Sequence, residues 1–159
     1  MIHLLKVVSR TLVLFALIFI CIAEKVLAQS CTNWLQLPSY RSYVSVGDLD
    51  MGNQITVEAS FMPTTTYTGG QIWARDLVSK PIHPTDANYL LRPNNAEITT
   101  TNGYFRTPDI CEIQLNKLYH AAMVHDGKTL KFYRNGFLMS SVPATGKLYQ
   151  NDFETRIGL

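Results

Sequence analysis

Twelve Asp and Glu residues, 14 Lys and Arg and four His are spread along 159 residues. Acid–base chemistry needs some of them in set patterns. A retaining glycosidase holds two carboxylates about 5 Å apart. On one strand face that takes acids at i and i+4 with another between, and the chain has no such run. Glu58 is followed by Ala-Ser-Phe, Glu97 by Ile-Thr-Thr and Glu112 by Ile-Gln-Leu. Asp109 and Glu112 are three apart, which sets them on opposite faces of a strand. Acids distant in sequence can still converge in space, so hydrolysis stays open as the second reading. There is no Gly-x-Ser-x-Gly nucleophile elbow. His120 and His125 are five apart, so one strand cannot aim both at one metal. The expected roles are a structural His120 at a strand start and an exposed His125 beside a turn.

The elements that would position these groups begin after an export signal. Lys6 and Arg10 form a basic start, and Leu12 to Ala23 is an unbroken apolar run of 12 residues. Glu24 and Lys25 end that run, and Val26-Leu27-Ala28 offers a cleavage site. A spanning helix needs roughly 20 apolar residues. Residues 1–28 are therefore expected to be a cleaved secretory signal, with an uncleaved anchor as the competing reading. Its removal leaves 131 residues, with Lys plus Arg falling from 14 to 11 and Asp plus Glu from 12 to 11. The remaining chain is neutral, gives no basic footprint for nucleic acid and carries no second apolar run of spanning length. An apolar fraction of 47% excludes a wholly disordered chain. The length suits one domain. Cys21 leaves with the signal, so Cys31 and Cys111 remain as a candidate disulfide in an exported protein. Such a bridge would contribute about 4 kcal/mol by constraining the unfolded chain. Two separate thiols are the alternative.

The rest reads as strands and turns. Ile55, Val57, Ala59 and Phe61 alternate with Thr56, Glu58 and Ser60, the period of a half-buried strand. Three turn dipeptides lie between strand-like runs: Asn102-Gly103, Asp126-Gly127 and Asn135-Gly136. Each tolerates the positive φ angles of a type I′ hairpin. The last two predict an antiparallel meander over 119–142, with Leu130 and Phe132 on one face and Lys131 and Tyr133 on the other. Asn88 to Arg92 is a further strand. The stretches 63–70 and 80–88 are expected loops, and Ile110 to Leu118 has room for a turn or two of helix. The fold expected is an all-β antiparallel sandwich of the jelly-roll kind.

The run from Tyr119 through His125-Asp126-Gly127 to Asn135-Gly136 resembles the laminin-G-like, concanavalin A-like jelly-roll family. Thr56-Val-Glu58-Ala59 is similar to its early strand and Thr155-Arg-Ile157-Gly158 to a later one. The resemblance covers roughly residues 34 to 159, read as domain 29–159. Leu77 to Lys80, Asn88 to Pro93 and Glu97 to Gly103 are similar to modules of large exported bacterial surface proteins, some of them associated with gliding and adhesion. His125 stands where the family often has an aromatic. The family continues past Ile-Gly with a closing strand, so the expectation is a fragment whose C-terminal strand is missing.

The resemblance implies a secreted, non-catalytic recognition module. Its ligand would be carbohydrate or protein at the cell surface, and downstream domains would follow in a longer adhesin-like chain. The superfamily also includes glucan hydrolases, whose Glu-x-Asp-x-Glu strand is missing here, and a purely structural spacer is a third possibility. Several relatives bind calcium through loop oxygens. The candidates here are Asp86 and Asn88 on the 81–88 loop, and Asp48 and Asp50 before the first strand. Sugar recognition would use exposed aromatics. Trp34, Tyr40, Tyr43, Tyr67, Trp73 and Tyr104 are available, with Trp73 beside Gly69-Gly70 favoured.

Overall fold

The computed structural model describes residues 34–38, 42–65, 76–83, 86–110 and 113–158, with backbone only at His83 and Asp86. The expected signal segment, 1–28, lies outside them. The chain divides into two units, Met1–Gln36 and Leu37–Leu159, and every described strand belongs to the second. No helix among the described residues is long and apolar enough to cross a membrane.

Among the described residues there are ten strands: β1 Val44–Ser45, β2 Ile55–Phe61, β3 Val78–His83, β4 Asp86–Leu91, β5 Ala96–Thr100, β6 Gly103–Arg106, β7 Tyr119–His125, β8 Thr129–Arg134, β9 Phe137–Pro143 and β10 Arg156–Ile157. They form two antiparallel sheets. One has six strands in the order β1-β10-β3-β4-β5-β6, the other four in the order β2-β7-β8-β9. The sheets pack face to face, β4 over β7, β5 over β8 and β6 over β9. This is the expected all-β sandwich of the jelly-roll kind.

Apolar alternation decides which faces meet. Ile55 and Val57 of β2 are buried while Thr56 and Glu58 are exposed. Leu130 and Phe132 of β8 are fully buried, and Lys131 and Tyr133 face outward. With Tyr89, Leu91, Ile98 and Met123 they fill the space between the sheets. Each such side chain contributes about 1.5–3 kcal/mol through removal from water.

The three hairpins differ. At Asn135-Gly136 both residues have positive φ, 51° and 82°, and Arg134 pairs directly with Phe137, as a type I′ turn requires. Asn135 also accepts a 2.9 Å bond from His120 N at its Oδ1 and donates its own N–H to His120 O. Gly136→Val would force a β-branched residue to positive φ. The expected cost is about 1–3 kcal/mol in urea denaturation with ligand binding retained. At the first hairpin Thr100 pairs with Gly103, so Thr101 and Asn102 form the loop, and neither has positive φ. At the second, β7 ends at His125 and β8 begins at Thr129, which leaves the three-residue loop Asp126-Gly127-Lys128. Asp126 organises that loop by accepting bonds from Lys128 N, Thr129 N and Lys131 Nζ, which hold its carboxyl down at about 2.

Three expectations need correction. The stretch 80–88 is not all loop, because β3 runs through Pro81 to His83 and β4 begins at Asp86. A proline is tolerated there because the register shifts on both sides of it and β10 pairs only with Val78 and Ser79. The described part of 110–118 forms no helix, and Asn116 takes a positive φ of 57° while its N–H bonds Pro63 O. His125 is not exposed. It is 1% accessible, aims inward beside Ile55, and bonds Ala144 O through Nε2 at 3.1 Å.

Candidate functional site

Charged residues gather in two places on the six-stranded sheet. The first is built around β3. Lys80 shares a face of β3 with Val78 and pairs with the core residue Tyr89, so its stem points into the sandwich, and its ammonium has no solvent exposure. It donates to Asp48 Oδ1, to Asp50 Oδ1 at 2.6 Å and to Asn151 O at 3.0 Å. Burial alone would pull the lysine pKa down, but the bonds to Asp48 and Asp50 outweigh it and the net shift is upward. The bond from Lys80 holds Asp50 below the usual carboxylate range. The cation that Asp48 and Asp50 hold, as placed, is this ammonium. Two carboxylate oxygens and the Asn151 carbonyl oxygen surround this one charged nitrogen.

Asn88, from the other expected pair, is 1% exposed. Its Nδ2 donates to Tyr149 O at 2.6 Å, and its Oδ1 has no partner among the described residues. Asp86 heads β4 and its side chain lies outside the described structure, as do Trp73, Cys31 and Cys111. Among the described residues no group of three or more His, Cys, Asp or Glu could hold a metal ion.

The second gathering is built across β4, β5 and β6. Glu97 on β5 stands opposite Arg106 on β6, and Thr99 opposite Tyr104, all on the face turned away from the core. Arg92, just after β4, donates through Nε to Asp76 at 2.9 Å and through Nη1 to Glu97 at 2.5 Å. All three are buried. Burial pushes the Asp76 carboxyl up to about 6 against the opposing pull of Arg92. Arg106 approaches Glu97 at 3.3 Å and donates to Asp109 at 2.7 Å. Asn95, fully buried, also donates to Asp109. Tyr104 lies beside this network and is 54% exposed, the most open aromatic on the described part of that sheet. Partial burial and its bond to Glu97 raise its hydroxyl pKa, so it stays a neutral donor.

Distant carboxylates therefore do converge, Asp76 with Glu97, but the Arg92 guanidinium bridges them. A glycosidase pair keeps that gap for sugar and water. Glu58 is far from this pair, exposed on β2, with His120 Nε2 at 3.5 Å as its neighbour. Sequence reasoning named Tyr104 among the aromatics but missed Lys80, Asp76 and Arg92. Lys80 and Arg92 carried one legible signal, a charge standing within or beside an otherwise apolar strand run.

The architecture is that of the lectin-like jelly rolls. The chain belongs to the laminin-G-type family described as the concanavalin A-like lectin/glucanases superfamily, whose model matches residues 38–158. No curated protein matches the chain. Domains of this kind are typically non-catalytic modules that bind carbohydrate or protein and are commonly extracellular.

Proposed function

We propose that this protein is a secreted recognition module which binds a glycan or a protein at the cell surface, as one part of a longer adhesin-like chain, and does not catalyse a reaction. The observation that carries the reading is Tyr104. Its exposed ring lies beside Arg106, Asp109 and Glu97, whose positions are set by mutual ion pairs. An aromatic face next to fixed donors and acceptors suits a sugar's apolar face and its ring of hydroxyls, and also a polar peptide loop.

A glycan array and a surface pull-down with the exported chain test this. Tyr104→Ala is expected to weaken the strongest interaction about tenfold or more while leaving the urea midpoint nearly unchanged. Binding in neither assay would sink the ligand claim and favour a spacer. A second reading, glucan hydrolysis, rests on the convergence of Asp76 and Glu97 and requires Arg92 to leave the gap it fills between them. Glucan hydrolysis that disappears in Glu97→Gln would establish it. Calcium enters as a proposal at Asp86, Asn88, Asp48 and Asp50, and a melting temperature raised by calcium and lowered by chelator would support it.

A further inference from the structure

Among the described residues of β3 to β6, Tyr104 is the one exposed large apolar side chain. Its surroundings are polar. Thr99 stands opposite it, and Arg106 lies two residues along β6 on the same face, about 7 Å away by strand rise. Asp109 lies beyond Arg106, which donates to it from Nη2 at 2.7 Å. A protein interface of standard size covers about 800 Å² on each partner and has an apolar core. One aromatic ring set among charged groups offers no such core. It suits a sugar instead, whose C–H face lies on the ring while its hydroxyls meet the polar groups.

Asp109 is firmly placed. The turn after β4 and the segment after β6 are tied by backbone bonds from Thr107 N to Ala96 O and from Ile110 N to Asn94 O. Across that seam Asn94, Asn95 and Arg106 all donate to Asp109 Oδ1. Oδ2 accepts no bond among the described residues, and the side chain is 53% exposed. Burial pushes this carboxyl up, but the bonds from Asn95 and Arg106 outweigh it. The group is held below the usual carboxylate range and is an anion at neutral pH. Arg106 turns Nε toward Glu97 and Nη2 toward Asp109, which leaves Nη1 for a further acceptor. An acceptor and a donor on one ion pair are what two adjacent sugar hydroxyls satisfy.

Charge narrows the class of sugar. Asp76, Glu97 and Asp109 set three negative charges against the two positive ones of Arg92 and Arg106, a surplus of one. Both arginines already face carboxylates, and the most exposed charged side chain of the network is Asp109. An acidic sugar at this surface meets like charge first. Resting on the reading of Tyr104 as a recognition surface, we infer that its ligand is an uncharged oligosaccharide: one ring stacks on Tyr104, a neighbouring ring bonds Asp109 and Arg106 through adjacent hydroxyls, and Asp109 turns acidic sugars away.

The probes are arrayed oligomers of glucose, galactose and mannose, each beside its uronic-acid and its amino-sugar counterpart. The exported chain is expected to bind an uncharged member, and to bind the uronic-acid counterpart of that member about fivefold more weakly or worse. Asp109→Asn keeps an acceptor for Asn95 and removes the charge. The gap should then close to about twofold, while the urea midpoint moves little because the pair with Arg106 is partly exposed. In wild type the gap should also narrow in about 0.5 M salt, which screens exposed charges and needs no variant. Stronger binding of an acidic or amino form, or a gap that neither Asp109→Asn nor salt changes, overturns the inference. So does an array on which no sugar binds. A surface protein captured by the chain and released by Tyr104→Ala would in that case leave Tyr104 standing as a recognition surface, whereas failure of both assays sinks the two readings together.

Discussion

Arg92→Met is expected to cost about 3–5 kcal/mol at pH 8, the range found when one partner of a buried ion pair is removed. Arg92 is 7% exposed and bridges Asp76 and Glu97, which are 8% and 6% exposed. Methionine matches the arginine stem in bulk but returns no charge. Two carboxylates would then share a dry site with nothing between them. Urea denaturation measures the loss. A change under about 1 kcal/mol would show that water reaches the site and that the bridge is not structural.

The pH dependence separates this cause from simple loss of packing. Asp76 sits at about 6 in the folded protein against an ordinary 3.8. A raised carboxyl binds its proton more tightly when folded, so folding is favoured at low pH and loses this contribution as pH rises from about 4 to about 6. Wild type keeps much of its stability above that window because Arg92 compensates the ionised pair. In Arg92→Met the compensation is gone, and the upward shift of Asp76 grows. The variant's deficit should therefore be largest at pH 8 and shrink toward pH 5. Adding Asp76→Asn should recover part of the loss, since an amide costs less to bury than an unpaired carboxylate. A deficit that is flat with pH would assign the effect to packing alone.

How much of this could be read beforehand depends on the range of the interactions. β2 and the meander β7-β8-β9 follow from alternation and from turn dipeptides, which act within a few residues. Asn135-Gly136 behaved as its residue types require. Asn102-Gly103 did not, because the strand pairing of Thr100 with Gly103 moved the loop back by one residue. Pro81 read as a loop breaker, whereas a bulge at a position free of β10 accommodates it within β3. His125 read as exposed from its neighbours Asp126 and Gly127, yet its strand parity, shared with Ala121 and Met123, already pointed inward. The charge clusters were the least legible. Asp76, Arg92 and Glu97 meet only because β3, β4 and β5 are adjacent. Asp48 and Asp50 meet Lys80 across a gap of 30 residues or more. Two acids two apart before a strand look the same whether they await a metal or an ammonium.

Lys80→Met is the second large expected effect, about 2–3 kcal/mol or roughly 10 °C in melting temperature. The ammonium is fully buried and makes three bonds, two of them to carboxylates. The substitution leaves Asp48 and Asp50 facing each other and deprives Asn151 O of its donor. Both aspartates are partly exposed, at 41% and 33%, so water relieves some of the penalty and the cost falls below that at Arg92. The difference between wild type and variant should be level across neutral pH and fall at both ends. Asp50 is held low by Lys80, so its contribution is present above about 4 and is lost as pH falls through its depressed value. Lys80 is held above 10.5, so its contribution is present below that pH and is lost as pH rises through the raised value. Asp50→Asn in the Lys80→Met background should regain stability by removing the repulsion, while Asp50→Asn alone should lose it. If the two changes simply add, the cluster is not one interacting unit, and β3 is anchored to the loops at 48–50 and 151 by packing alone.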